Sequence, residues 1–127
     1  MAQKVVLVVE DETVLSKILQ QTLEREGYET LAAMDGKEGL TMALEKKPDL
    51  ILLDIMMPHD GLTMLASLRQ NKEYGQHVPV ILLTNLSPDS NSIIESVEKY
   101  EPVFYLVKAN HSPEQVVAKV QEALEKN

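Results

Sequence analysis

Three apolar segments of the sequence each end in a polar residue whose side chain could contact a ligand. The segments span residues 49–54, 79–84 and 103–108, and their last residues are Asp54, Thr84 and Lys108. A further apolar segment, residues 4–9, leads directly into Glu10, Asp11 and Glu12. Carboxylate oxygens are typical ligands of hard divalent cations, and an ammonium or a hydroxyl can donate hydrogen bonds to phosphoryl oxygens. These residue types together predict a site for a divalent cation and a phosphoryl group.

The apolar segments themselves predict the strands of a parallel sheet. The runs at residues 5–9, 50–53, 80–83 and 103–107 are short, continuous and rich in Val, Ile and Leu. Continuous runs of this kind are typical of strands that are buried on both faces. A weaker run at residues 28–33 predicts an edge strand. Because parallel strands present their carboxyl ends at one edge of the sheet, the polar side chains should converge there.

Segments with helical periodicity separate the predicted strands. The second to fifth helices have start signals at Asp35 with Glu38, Gly61, Ser87 with Pro88, and Ser112 with Gln115. The first and last of these pairs have the spacing of capping boxes. The expected inward faces of the first, third, fourth and fifth helices are Leu15, Ile18, Leu19, Thr22 and Leu23; Leu62, Leu65 and Leu68; Ile93, Ile94 and Val97; and Val116, Val117, Val120 and Leu124. Five strands alternating with five helices predict an α/β fold with helices on both faces of the sheet.

Composition narrows the class of protein further. The 127 residues are enough for one domain with its own core. The formal net charge of −8 disfavours nucleic acid and anionic membranes as partners. The absence of cysteine excludes disulfides and thiolate metal sites, and neither a signal peptide nor a membrane-spanning apolar stretch is recognisable. We therefore expect a cytoplasmic domain.

Three motifs give the chain a family resemblance. Leu-Val-Val-Glu-Asp-Glu (7–12), Leu-Leu-Asp-Ile-Met-Met-Pro (52–58) and Tyr-Leu-Val-Lys (105–108) occur in this order at compatible spacing. The chain thereby resembles the receiver domains of bacterial two-component response regulators, in particular the stand-alone, CheY-like ones. The resemblance implies a doubly wound, flavodoxin-like (βα)5 domain over residues 1–127 with strand order 2-1-3-4-5 and no output domain.

The resemblance also implies a reaction and the residues that perform it. Asp54 would accept a phosphoryl group from a sensor histidine kinase or a histidine phosphotransfer protein, so the chain would catalyse only its own phosphorylation and dephosphorylation. Lys108 and Thr84 would bind phosphoryl oxygens, and Tyr105 would change rotamer on activation. A downstream protein would meet the face formed by helix 4, strand 5 and helix 5. The implied Mg²⁺ ligands are Asp11, Asp54, the backbone carbonyl of Met56 and, through a water, Glu10.

The chain departs from the family pattern at three places. Only His59 separates Pro58 from Asp60-Gly61, so the loop after the third strand is one residue short. Asn85 stands where the family favours a small residue. Ala109 replaces a proline whose preceding peptide bond is usually cis, and a trans bond is expected here because a non-proline cis bond costs about 3 kcal/mol.

Three other functions are alternatives to a phosphorylated receiver. A phosphotransferase of the haloacid dehalogenase type also uses an aspartyl nucleophile, but it requires a second aspartate at the position of Met56. A flavodoxin-like flavin-binding domain requires a polar, glycine-rich loop after the first strand, which is missing. A degenerate receiver that acts only as a protein-binding module is disfavoured by the intact set of acidic residues, Thr84 and Lys108, but the shortened loop keeps this alternative open.

Overall fold

A five-stranded parallel sheet forms the centre of the computed structural model, which describes residues 3–56, 61–85 and 97–125. The strands are β1 (Val5–Val9), β2 (Glu29–Ala33), β3 (Leu50–Leu53), β4 (Val80–Thr84) and β5 (Phe104–Val107). Their order is β2-β1-β3-β4-β5, and every neighbouring pair is parallel. The expected fold class and strand order are thereby confirmed, with the weaker strand β2 at an edge.

Helices cover both faces of the sheet. Their bounds are α1 (Thr13–Arg25), α2 (Gly36–Lys46), α3 (Gly61–Arg69) and α5 (Pro113–Glu125), with a 3-10 turn at Lys108–Asn110. Residues 97–99 are also helical and are labelled α4. The predicted start of the fourth helix at Ser87-Pro88, its inward residues Ile93 and Ile94, and the shortened loop around His59 lie outside the described residues.

Two apolar layers result from the alternation of side chains along the strands. Leu7, Leu53 and Leu82 point to the side that also holds Met64, Leu65 and Val97. Val8, Leu52 and Leu83 point to the other side, where α1 and α5 contribute Leu19, Leu23, Val116, Val117 and Val120. The central strands β1, β3 and β4 are buried almost throughout. Because these strands are fixed in the core, the polar residues that follow them have well-defined positions at the edge of the sheet.

Helix α1 differs from the expected orientation at one residue. Ile18 was predicted to face the core, but 40% of its surface is exposed, whereas Ser16 is only 3% exposed. The buried positions are Ser16, Leu19, Thr22 and Leu23, so the inward stripe is rotated relative to the apolar pattern. Ile18 shares an exposed face with Val14, which is 73% exposed. A helix with apolar residues on more than one side does not fix its own rotation.

The predicted capping box at α5 is present, and the one at α2 is present with its return bond shifted by one residue. The Asp35 carboxylate accepts a hydrogen bond from the Glu38 N–H, and the Glu38 carboxylate reaches back to the N–H of Met34. Ser112 and Gln115 exchange side-chain to backbone hydrogen bonds of 3.2 and 2.8 Å. These local bonds set where α2 and α5 begin.

The start of α3 lies against the end of β3. A Cβ atom placed on Gly61 would come within 2.7 Å of the Ile55 Cα and would also collide with the backbone of Asp54. Only glycine tolerates so close an approach between two backbones. Gly61 therefore helps to define the backbone position of Asp54. No helix in residues 3–56, 61–85 or 97–125 has both the length and the apolar character needed to cross a membrane.

Candidate functional site

Side chains from three strand ends meet at the carboxyl edge of the sheet. Strands β1 and β3 are neighbours, with Val9 opposite Leu53, so Glu10 and Asp54 emerge side by side. Lys108 follows β5 and reaches both of them. Its Nζ lies 2.7 Å from Glu10 Oε1 and 2.8 Å from Asp54 Oδ2. The predicted convergence of the two acids with the lysine is therefore observed.

Asp54 is held by both of its carboxylate oxygens. Oδ2 accepts a hydrogen bond from the Lys108 ammonium, and Oδ1 accepts one of 2.8 Å from the Met56 N–H. The Asp54 N–H itself donates to the carbonyl of Val9. Only 4% of the residue is exposed. The carboxylate thus has a defined orientation at the end of a buried strand.

Glu10 is even more deeply buried, with 2% of its surface exposed. One carboxylate oxygen accepts from Lys108, and the other accepts a 3.0 Å hydrogen bond from the Glu12 N–H. Burial raises the pKa of Glu10 above its ordinary value, and the hydrogen bonds from Lys108 and Glu12 offset only part of that rise. Ionised Glu10 is therefore unfavourable at this buried position, and the ammonium of Lys108 offsets part of that free-energy cost.

The ammonium of Lys108 is stabilised in its charged form. Burial by itself would lower the pKa of Lys108, but the hydrogen bonds and the negative charges of Asp54 and Glu10 outweigh it and raise the pKa above its ordinary value. A third carboxylate, that of Glu12, lies 3.5 Å from the same Nζ. Lys108 consequently remains a cation at neutral pH.

The acidic residues at this edge can hold a divalent cation. Glu10, Asp11 and Asp54 each present a ligand oxygen, and these atoms lie within 4.8 Å of one another. Three carboxylates form a hard donor set of the kind that Mg²⁺ prefers. Asp11 is the solvent-accessible member of the three. These residues therefore fit a cation that binds from the solvent side.

A cleft opens above the ion pairs. Its volume is about 230 Å³, and it is lined by Asp11, Glu12, Asp54, Met56, Asn85 and Lys108. This space can accommodate a phosphoryl group together with a hydrated cation. Asn85, noted in the sequence only as a departure, is one of its walls.

Comparison with known proteins identifies the family. The sequence profile of the family described as response regulator receiver domain matches residues 6–121. The chain belongs to this family. Receiver domains are the phosphoacceptor domains of two-component systems, typically bind Mg²⁺, and interact with histidine kinases or phosphotransfer proteins.

Several receiver domains of known sequence or structure are similar to this one. The alkaline phosphatase synthesis transcriptional regulatory protein PhoP of Bacillus subtilis is 40% identical over 92 residues, which is 72% of this chain and 37% of that protein. This receiver domain therefore corresponds to little more than a third of that relative. A CheY-like receiver domain protein from Methanospirillum hungatei superimposes with a TM-score of 0.88 at 25% identity, covering 98% of this chain and 96% of the other. The Francisella response regulator 1452 receiver domain gives 0.83 at 31% identity and 98% coverage of both chains.

The two remaining predicted site residues, Thr84 and Tyr105, lie on the neighbouring strands β4 and β5 of this receiver domain. Thr84 ends β4 and is fully buried. It stands opposite Val107 in the ladder, while Leu82, two residues earlier, stands opposite Tyr105. By alternation, Thr84 and Tyr105 share one face of the sheet, and Tyr105 packs half-buried against that core. Burial and, to a lesser extent, the charge of Asp54 raise the pKa of Tyr105.

Sequence reasoning missed the contact between Glu12 and Lys108. Within the acidic run 10–12 the sequence predicts metal ligands at Glu10 and Asp11 and assigns no role to Glu12. In the structure Glu12 occupies the N-cap position of α1 without making a side-chain cap bond. Serine, threonine, aspartate and asparagine are the preferred residues at that position, so a glutamate there is unusual, but the sequence does not indicate its contact with Lys108. The peptide bond between Lys108 and Ala109 is trans, as expected.

Proposed function

We propose that Asp54 of this receiver domain accepts a phosphoryl group from a phosphohistidine of a sensor kinase or a phosphotransfer protein. The observation that supports this best is the position of Lys108 Nζ, which lies less than 3 Å from both Glu10 and Asp54. A buried carboxylate with a cation on one oxygen, further acids beside it and an open cleft above it is suited to phosphoryl transfer.

The transfer forms one bond and breaks one bond. An Asp54 carboxylate oxygen attacks the phosphorus, and the phosphorus–nitrogen bond of the phosphohistidine breaks. The electron pair of that bond stays on the ring nitrogen; because the other ring nitrogen carries a proton, neutral imidazole leaves, and the product is an acyl phosphate on Asp54. The hydrogen bond from the Met56 N–H to Oδ1 and the ion pair from Lys108 to Oδ2 hold the carboxylate for this attack. Lys108 then keeps its charge beside the phosphoryl oxygens.

Asp11, Asp54 and the backbone carbonyl of Met56 would hold Mg²⁺ directly in this proposal, and Glu10 would act through a water. The cation supplies positive charge that offsets the repulsion between the carboxylate and the phosphoryl group. Both oxygens of Glu10 already accept hydrogen bonds, from Lys108 and from the Glu12 N–H. An indirect role of Glu10 is consistent with these bonds.

Thr84 and Tyr105 would carry the signal away from the site. The Thr84 hydroxyl would bond a phosphoryl oxygen, and Tyr105, on the same face of the sheet, would change rotamer in response. Residues 1–127 act as one receiver domain in this proposal, in the cytoplasm. Output passes through the α4, β5 and α5 face to a downstream protein or onward in a phosphorelay. PhoP of Bacillus subtilis is named as a transcriptional regulator, but direct nucleic-acid binding by this acidic chain is not part of the proposal.

Intact mass spectrometry tests the phosphoacceptor. With Mg²⁺ and phosphoramidate, the wild-type chain should gain one phosphoryl mass that is lost at alkaline pH. Asp54→Asn should gain none, and Asp11→Asn should be labelled poorly and should bind Mg²⁺ weakly in calorimetry. Glu45→Gln, on the exposed surface of α2, is the matched control and should behave as wild type. If the wild-type chain gained no mass, the binding-only alternative would hold; equal labelling of Asp54→Asn would move the acceptor elsewhere.

A further inference from the structure

Glu12 is placed where its charge acts on the cleft. It occupies the N-cap position of α1, yet its side chain makes no cap bond. The side chain instead extends toward Lys108, with Oε2 3.5 Å from Nζ, and 63% of it is exposed. It also lines the cleft above Asp54. The side chain is therefore directed at the site, although the helix start would be better served by a shorter residue.

The charge of Glu12 is only weakly neutralised. Lys108 makes its short contacts with Glu10 and Asp54, at 2.7 and 2.8 Å, and the contact with Glu12 is longer. The cleft is lined by three carboxylates and one ammonium, and Glu10 adds a further negative charge below it. The four carboxylates outweigh the ammonium even with a divalent cation bound, so an incoming phosphodonor meets net negative charge. Glu12 is the most exposed of these carboxylates.

We propose that Glu12 biases the relative rates of phosphodonors, by disfavouring doubly negative acyl phosphates relative to singly negative donors with a phosphorus–nitrogen bond. The proposal rests on the proposed function, because it concerns the donor for Asp54. Glu12 is a positioning and specificity residue in this account, since it acts on the donor through charge and forms no bond to phosphorus.

The two donor classes deliver the same group with different leaving groups. Acetyl phosphate is a dianion at neutral pH; its phosphorus–oxygen bond breaks and acetate leaves with the electron pair. Phosphoramidate carries one net negative charge because its nitrogen is protonated; its phosphorus–nitrogen bond breaks and ammonia leaves. In both reactions an Asp54 oxygen forms the new bond to phosphorus. The difference in donor charge makes the pair a probe of Glu12.

The expected effect follows from Coulomb's law. For a separation of about 7 Å with water-like screening, Coulomb's law gives an interaction of about one RT between unit charges, which is a roughly two- to threefold change in rate for each unit of donor charge. Glu12→Gln should therefore raise the ratio of the acetyl phosphate rate to the phosphoramidate rate by about this factor at low salt. The increase should shrink above about 0.1 M salt, where the Debye length falls to ~10 Å.

The experiment measures phosphorylation rates of the full chain by intact mass, at saturating Mg²⁺, with each donor and at low and high salt. Glu12→Asp keeps the charge and should retain the wild-type ratio. Glu45→Gln removes one charge on α2, away from the cleft, and should also retain it. A raised ratio in Glu12→Gln alone, reduced by salt, supports the proposal.

Other outcomes overturn it. An equal change with both donors would mean that Glu12 only supports the start of α1 or the cation. A changed ratio in Glu12→Asp would assign the effect to side-chain length, and loss of labelling in Glu12→Gln with both donors would make Glu12 essential to the reaction itself. If wild type were labelled by neither donor, the proposed function would fail, which is a different result from an unchanged ratio.

Discussion

Replacing Lys108 by methionine should destabilise the domain by about 3 kcal/mol at neutral pH. Methionine keeps much of the length and the apolar contacts of the lysine side chain but removes the cation. Glu10 and Asp54 would then be buried carboxylates at 2% and 4% exposure without their ammonium. Removing one partner of a buried ion pair typically costs about 3–5 kcal/mol. The lower end of this range applies because Glu10 keeps a hydrogen bond from the Glu12 N–H and Asp54 keeps one from the Met56 N–H.

The destabilisation should depend on pH in a defined direction. Burial raises the pKa of Glu10 above its ordinary value of 4.5, and loss of Lys108 removes a cause that lowers it. An acid with a raised pKa in the folded state is destabilising when ionised, and that penalty disappears as pH falls through the raised value toward 4.5. The difference in the free energy of unfolding between Lys108→Met and wild type should therefore be largest near neutral pH and above. It should become smaller as the pH falls.

Thermal and urea unfolding measure this prediction. For a domain of this size, a loss of about 3 kcal/mol corresponds to a fall in Tm of about 12 °C. A double-mutant cycle with Glu10→Gln isolates the pair: Glu10→Gln should stabilise the Lys108→Met background more than it stabilises wild type. A Lys108→Met variant as stable as wild type at pH 7, or a gap that widened toward acidic pH, would refute the account of the ion pairs.

Three further outcomes are expected. Gly61→Ala should lower the free energy of unfolding by about 2 kcal/mol or more and slow the phosphorylation of Asp54, because the new Cβ would lie 2.7 Å from the Ile55 Cα. Unfolding curves measure the first effect and intact mass measures the second. Unchanged values would contradict the close approach of the two backbones. Met56→Asn should hasten loss of the phosphoryl group, since Met56 lines the cleft, is 56% exposed and cannot hydrogen-bond an attacking water; equal decay rates would count against this. Tyr105→Ala should leave labelling intact but reduce the beryllofluoride-induced amide chemical-shift changes in β5 and α5; a full-sized response would remove Tyr105 from the switch.

The fold was predictable where local sequence carries the information. Continuous runs of Val, Ile and Leu identified the buried strands, and Asp35 with Glu38 and Ser112 with Gln115 identified two helix starts because a capping box is a local motif. Strand order could not be derived from periodicity and came from the family resemblance.

Sequence reasoning failed where tertiary packing decides. Ile18 is exposed, against the prediction, because apolar residues occur on more than one side of α1. Only packing against the sheet and α5 sets the rotation of this helix. At the site, residue types and strand ends were sufficient to bring Asp54, Glu10 and Lys108 together. The approach of Glu12 to Lys108 joins residues from opposite ends of the chain, and an exposed glutamate gives no local sign of its partner.

The path of the Lys108 side chain has a mechanical consequence for the edge of the sheet. Strand β5 is separated from β3 by β4, a distance of roughly 10 Å at ordinary strand spacing, and in the described residues its only strand neighbour is β4. The ion pair from Lys108 to Asp54 crosses that distance, and the ion pair to Glu10 reaches one strand further, to the end of β1. Together they tie this short edge strand to the centre of the sheet. Amide hydrogen exchange in residues 104–107 should therefore report on the chemistry of a carboxylate two strands away. Whatever changes the charge on Asp54 also changes how firmly the outermost strand is held.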